Sequence, residues 1–555
     1  MQDSGTVARG IPGETGMTLT RRDALKLGGL VAAGVAGVAV PFGATALQAK
    51  SISTLPDALF PRRYARPLLR PPVLQPTGPG GTPYVPGEPR YYDITARAGT
   101  AELIPGVQTP VGAYNGLVPG PTLSMERGEP AFVTIRNKLP AANPMGGDYS
   151  ISTHLHGSES LPEFDGYASD VTKVGYKKTY EWPNSQPART MWYHDHGQHF
   201  TAQNAYGGLA AQYHLHDEVE RMLLPQGEFD VPLTVTDAIF NANGSLAYRD
   251  NDHSGLWGDV VLVNGRAWPR MTVKRRTYRF RILVASISRS YRWRLSNGMP
   301  VTVVATDGGL VPDGIEVLSF RHAPAERYEV VIDFSKVPLT TKRVELLNSS
   351  NENNIDYDFT GMVMAFDLVD APFDKSDPTW NRQYAGMHLA DCPVMSQQVT
   401  GAERVVSLRV KKDLNTWTFG GQTWQDVVDS GFTKVIANPA VGETQIWEIE
   451  NSSGGWFHPV HLHLVDFKVL TRNGQPAQPQ ERGPKDVVYV GEEETVRLLV
   501  NFDSPHHRGG RYMVHCHNLP HEDHDMMTQF VVGPNNGDGD PHHPVYAAKP
   551  VWDND

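Results

Sequence analysis

The string HCHNLPHEDHDMM occupies residues 515–527. It sets Cys516, one of only two cysteines, between His515 and His517, with His521 and Met526 just downstream. Three other short stretches concentrate histidine: HLHG (His154, His156), WYHDHG (His194, His196) and HPVHLH (His458, His461, His463). The ten histidines named, of 21 in the chain, thus fall in four short motifs. An HxH pair by itself says little, because surface pairs and zinc or iron sites share it. HCHxxxHxxxxM is specific: two histidines, a cysteine thiolate and a weak axial methionine are the ligands of a blue-copper electron-transfer site. Cys516, His521 and Met526 come from this one stretch, and His458 is the candidate for the fourth position.

Side chains alternate along a strand, so if Cys516 faces one side, His515 and His517 face the other. One short strand can then serve a copper on one face and two more on the opposite face. Short covalent paths lead from the sulfur to either neighbour. In HPVHLH, His461 and His463 share a face, while His458, ahead of an expected proline turn, serves the other site. Eight imidazoles remain: His154, His156, His194, His196, His461, His463, His515 and His517. They fit a three-copper cluster, two on one metal and three on each of the others. Structural zinc closes with four ligands and has no use for eight paired histidines.

The elements that must position these residues read as strands. The chain has 555 residues, 53 glycines and 43 prolines, a mix that suits many short strands joined by turns. Three β-rich blocks are expected at 91–220, 221–375 and 401–540, with AFVTIRNKLP, RTYRFRILVA and ETVRLLVNF as typical strand runs. HDEVERMLLP (216–225) is a short helix candidate. A proline-rich arm outside the core is expected at 50–90, a linker at 376–400 and a partly mobile tail at 541–555. The formal net charge of −11 argues against nucleic-acid and anionic-membrane partners. With Cys516 assigned to metal, Cys392 is read as a buried free thiol, the alternative being a single Cys392–Cys516 disulfide.

Residues 1–49 read as an export signal: twin arginines in TRRDALK, an apolar stretch of about 14 residues, then small residues in ATALQA. The apolar run falls short of the roughly 20 residues a spanning helix needs. Export through the twin-arginine machinery to the periplasm, cell envelope or exterior is therefore expected, without a stable membrane anchor.

The motifs resemble those of multicopper oxidases, and most nearly the members similar to bilirubin oxidase and laccase. The resemblance runs in order through HLHG…FDGYASD, NSQPARTMWYHDHGQHFTAQNAYGG, WGDVVLVNGRAWP, YRFRILVASISRSY, WFHPVHLHLVDFKV, KDVVYVG and HCHNLPHEDHDMM. It implies an all-β chain of three cupredoxin-like domains and four copper ions. It places the blue (type 1) copper in the third domain, on His458, Cys516, His521 and Met526. The type 2 copper falls to His154 and His461. His156, His194 and His517 hold one type 3 copper, and His196, His463 and His515 the other. Asp165 and Glu522 occupy the family's positions for acids beside the cluster, where four-electron reduction of O2 needs protons. Trp456, two residues before His458, is expected on the substrate side of the blue site, and Asn518 is expected to tune the Cys516 sulfur by a hydrogen bond. The donor implied is bilirubin, a phenol or an aminophenol. A cuprous oxidase of copper homeostasis and a structural envelope protein are the alternatives.

Overall fold

The computed structural model describes residues 51–413, 416–503, 509–534, 541–542 and 546–550, so the signal read at 1–49 lies outside the described residues. The described chain is built almost wholly of strands, arranged in six sheets that pair into three sandwiches. Strand Ala131–Lys138 shows why: Ala131, Val133, Ile135 and Asn137 turn inward while their neighbours face out. Burying one face of each sheet against another gives a sandwich core.

In the first sandwich a five-stranded sheet faces a four-stranded one. The latter runs in the order Leu123–Glu126, Ala210–His216, Arg189–Asp195, Thr153–His156. The second sandwich has sheets of seven and five strands, and the third has six and four. The third domain's four-stranded sheet is ordered Val487–Val490, His458–Leu462, Gly510–Cys516, Met527–Val532. The histidine motifs lie on the two four-stranded sheets, on adjacent antiparallel strands. His154 pairs with His194 in the first, and His461 with His515 in the third.

HDEVERMLLP contains the helix Glu218–Leu223, capped by the Asp217 side chain. The proline turn expected after His458 does not form. The strand runs through Pro459, which pairs with Tyr489, and His458 and His461 take opposite faces because they are three residues apart. The arm is also more than a surface strap. Thr54, Leu68 and Leu74 donate backbone bonds to Phe240, Arg270 and Thr122, and Leu55 and Tyr64 are buried in the second domain's core. In the tail, Lys549–Pro550 adds an edge strand to the first domain's larger sheet. No helix among the described residues is long and apolar enough to cross a membrane.

Strand Thr277–Val284 is buried on both faces. One face feeds the second domain's core. The other presents Arg279 and Arg281, fully buried, to Glu220, Asp230 and Glu329. Buried guanidinium groups are tolerated because each finds several carboxylate partners.

Candidate metal centre

Both cysteines are free, Cys516 buried and Cys392 partly so, which rules out the disulfide. Cys516 ends its strand, and two imidazoles converge on its sulfur. His458 Nδ1 lies 3.3 Å from Sγ, His521 Nδ1 lies 3.7 Å from it, and the two nitrogens are 3.3 Å apart. That spacing suits three donors sharing one ion at roughly 2.0–2.3 Å, the range of imidazole and thiolate bonds to a first-row metal. The outward nitrogens are committed elsewhere. His458 Nε2 donates to Ser453 Oγ (2.6 Å), whose own proton goes to Asn451, and His521 Nε2 donates to Ser254 O (3.2 Å). Both Nδ1 lone pairs therefore point inward. Met526 is fully buried beside Cys516, and its carbonyl accepts the Cys516 backbone N–H at 3.0 Å.

Burial pushes the Cys516 thiol well above its ordinary range, and it holds His458 at about 3 and His521 well below the usual imidazole value. Neutral imidazoles are free to bind metal, and a cation is what would hold the thiolate. Asn518 reaches the sulfur through its backbone N–H, 3.4 Å away, while its side-chain amide lies 3.0 Å from His521 Nε2 and accepts from Ser288.

The eight other histidines meet where the two four-stranded sheets face each other, all with at most 1 % exposure. His196 and His463 each bring Nε2 to within about 3.2 Å of His515 Nε2, at 3.1 and 3.2 Å. His154 Nε2 and His461 Nε2 stand 3.4 Å apart. The protons sit on the opposite nitrogens. His154 Nδ1 donates to Asp165 O (2.5 Å), His461 Nδ1 to Asp486 O (2.9 Å) and His463 Nδ1 to an Asp165 carboxylate oxygen (2.8 Å). His515 Nδ1 lies 2.8 Å and His196 Nδ1 3.5 Å from the Glu522 carboxylate. With the protons on the outer nitrogens the facing nitrogens are acceptors, and a shared cation is what suits them.

The remaining three show the same logic. His156 Nε2 donates to Asp486 Oδ1 (3.2 Å) and His194 Nδ1 to Asp195 O (2.7 Å). This leaves His156 Nδ1, His194 Nε2 and His517 Nε2 as buried ring nitrogens with no hydrogen-bond partner. Their rings lie 5.1–5.9 Å apart. Buried polar atoms are seldom left unpaired without a function. The residues thus fit copper, on the orphaned nitrogens and the chemistry of the donor set alike.

Asp165 and Glu522 are both buried within the cluster. Burial raises the Asp165 carboxyl above its usual range. Burial works the same way on Glu522, but His515 and His196 outweigh it and hold that carboxyl low. Gly166, which follows Asp165, has φ +76, and a Cβ there would sit 2.5 Å from the His154 backbone. Only glycine lets the Asp165 turn approach the histidine strand so closely.

Trp456 is half-buried, with its ring edge-on to His521 at 6.0 Å. Sequence reasoning missed Trp417, which is fully buried, stacks face to face on His521 at 3.8 Å and stands edge-on to His458 at 5.5 Å. Trp257 stacks on Trp456 at 6.3 Å, and the Lys412 ammonium lies 4.7 Å from the Trp417 ring and 5.8 Å from Trp456. Asp486 was missed too. Its only sequence signal is the charge pair Lys485–Asp486 running directly into the apolar strand Val487–Val490.

Three sandwiches, with a cysteine–histidine triangle and an eight-imidazole cluster about one shared strand, define a copper protein built for electron transfer. Residues 404–536 and 95–219 each match a family model described as multicopper oxidase. The bilirubin oxidase of Albifimbria verrucaria is 38% identical over 528 residues, covering 90% of this chain and 88% of that protein. The laccase of Bacillus subtilis (strain 168) is 33% identical over 508 residues, covering 80% and 94%. Among solved structures, the multicopper oxidase McoA of Aquifex aeolicus superposes with a TM-score of 0.72 at 28% identity, covering 84% of this chain and all of that one. The chain belongs to the multicopper oxidase family, and it is a copper-dependent oxidase that passes electrons from an organic donor to O2.

Proposed function

We propose that this chain is an exported oxidase of conjugated organic donors, those bearing a carboxylate above all, with bilirubin the best fit and phenols and aminophenols as further donors. The carrying observation is the wall beside the blue centre. Trp417 covers His521, Trp456 extends the indole surface to the protein's exterior, and the Lys412 ammonium stands over both rings. Indole faces suit a conjugated donor, and an ammonium suits its carboxylate. Cu(I) as donor would call for thioethers or thiolates instead. The twin arginines at 21–22 and the apolar run behind them support export.

In this reading His458, Cys516, His521 and Met526 hold type 1 copper, and His154 and His461 hold type 2. His156, His194 and His517 hold one type 3 copper, and His196, His463 and His515 the other. Bound copper supplies a one-electron acceptor and a cluster at which O2 takes four electrons and four protons to give two waters. The chain supplies the rest. Cys516 and its peptide links to His515 and His517 form the covalent path between the centres. Asp165, its carboxyl raised by burial, is placed to pass protons on beside His154 and His463, while Glu522, its carboxyl held low, orients His515 and His196. Complete burial of the ligands excludes bulk water.

Replacing the sulfur tests the assignment. Cys516→Ser should remove the blue absorption and the oxidase activity while leaving three coppers per chain by metal analysis. A blue variant would refute it.

A further inference from the structure

We propose that Arg327 positions the copper cluster from the middle domain, which supplies none of the eight imidazoles. Arg327 opens strand Arg327–Asp333 and is fully buried. Its guanidinium grips the Asp486 carboxylate with both terminal nitrogens, Nη1 to Oδ1 at 2.6 Å and Nη2 to Oδ2 at 2.5 Å. Asp486 in turn holds two histidines from different domains. Oδ1 accepts from His156 Nε2 at 3.2 Å, and its backbone carbonyl accepts from His461 Nδ1 at 2.9 Å. The two rings stack at 3.6 Å with 12° between planes. One guanidinium therefore fixes the relative placement of an imidazole assigned to type 3 copper and one assigned to type 2.

Arg327 is itself held rigidly. Nε donates to Thr190 O (3.0 Å), Nη1 to Ala325 O (3.1 Å) and Nη2 to Asp307 O (3.1 Å). The Asp307 carboxylate accepts the Arg327 backbone N–H at 2.7 Å and pairs with Lys485, the residue before Asp486, at 2.8 Å. The same contact accounts for the glycine of HLHG. A Cβ on Gly157 would lie 2.6 Å from Arg327 Nη2 and 3.1 Å from Asp486 Oδ2, in a backbone with φ +92. Lysine cannot replace the fork, since an ammonium is a point charge without paired planar donors.

The inference rests on the copper reading of the cluster, and its test separates the two. Arg327→Lys and Asp486→Asn are prepared beside wild type and Arg281→Lys. Arg281 is another buried arginine at the first domain's border, and its carboxylate partners are Glu220, Asp230 and Glu329. Copper per chain, retention against a chelator, the type 2 electron paramagnetic resonance signal and the blue absorption are measured. Positions that orient metal ligands typically change affinity by about 10–100-fold. Arg327→Lys and Asp486→Asn should lose cluster copper to chelator at least about tenfold more readily and shift the type 2 signal, with the blue absorption intact. Arg281→Lys should keep the wild-type type 2 signal. If the Lys variant does not fold, Asp486→Asn, which keeps the side chain's shape, reads the same quantities. Wild-type signals and retention in the folded variants, or an equal loss in Arg281→Lys, would overturn the inference. Wild-type protein that takes up only the blue copper would instead overturn the reading beneath it.

Discussion

At the scale of single residues, the groups around the His458–Cys516–His521 triangle each carry a separate test. Met526 is fully buried, and its carbonyl accepts the backbone N–H of Cys516. Met526→Leu should keep the blue colour and raise the reduction potential, since a weak axial donor is lost; redox titration with an unmoved midpoint would deny Met526 the axial role. In the proposed function, Lys412 pairs with a carboxylate of the donor. Lys412→Met should lower the ratio of kcat/KM for a carboxylate-bearing phenol over its neutral analogue by about fivefold, roughly 1 kcal/mol, the scale of a partly exposed charge pair. A steady ratio across the two donors would remove Lys412 from recognition. Among the acids, Asp165→Asn and Glu522→Gln should slow O2 consumption by about 10²-fold or more while the blue centre is still reduced by donor at the wild-type rate. Normal turnover in both variants would end their proposed roles in handling protons.

At the scale of elements, the strand period made the face of each candidate ligand legible. His154 and His156 share a face, and Cys516 and His515 oppose each other, because alternation along a strand is fixed by backbone geometry. What the sequence hid lies across sheets. Trp417 sits 41 residues before His458 in chain order, and only the packing of strand Thr416–Phe419 places its ring on His521. Asp486 reads as a charge before an apolar strand until the middle domain brings Arg327 to it. The arm was misjudged for a related reason. Its prolines rule out regular strands, but not single backbone bonds or buried anchors such as Leu55. At its start, the Asp259 carboxylate accepts from both Ser51 and Ser53 hydroxyls and from the Ile52 and Ser53 backbone. Asp259→Ala should cost about 1.5–3 kcal/mol, as loss of hydrogen bonds to a charged acceptor does, and thermal unfolding would show it. An unchanged melting temperature would mean the arm's first residues add nothing to stability.

At the scale of the molecule, copper and fold are coupled. Burial first, then neighbouring imidazoles, holds His156, His461, His463 and His517 well below the usual value, and burial alone holds His458 at about 3, so these five are neutral when folded. In the unfolded chain the same groups take up protons near pH 6.5. Protonation thus favours unfolding, and copper-free protein should be most stable above pH 6.5, losing stability progressively as pH falls toward 3. Copper should blunt the loss, because bound metal occupies the same nitrogens. Denaturant midpoints for both forms across that range check this, and parallel curves would contradict it.

One chain couples oxidation of an organic donor to reduction of O2. The most direct test of that coupling is oxygen uptake by copper-loaded protein, with electron count and peroxide measured together, using bilirubin, a methoxyphenol, 2-aminophenol and Cu(I) side by side. One O2 should be consumed for every four donor electrons, with no free peroxide, and bilirubin should run ahead of the other donors with Cu(I) last. Released peroxide, or Cu(I) outpacing every organic donor, would contradict it.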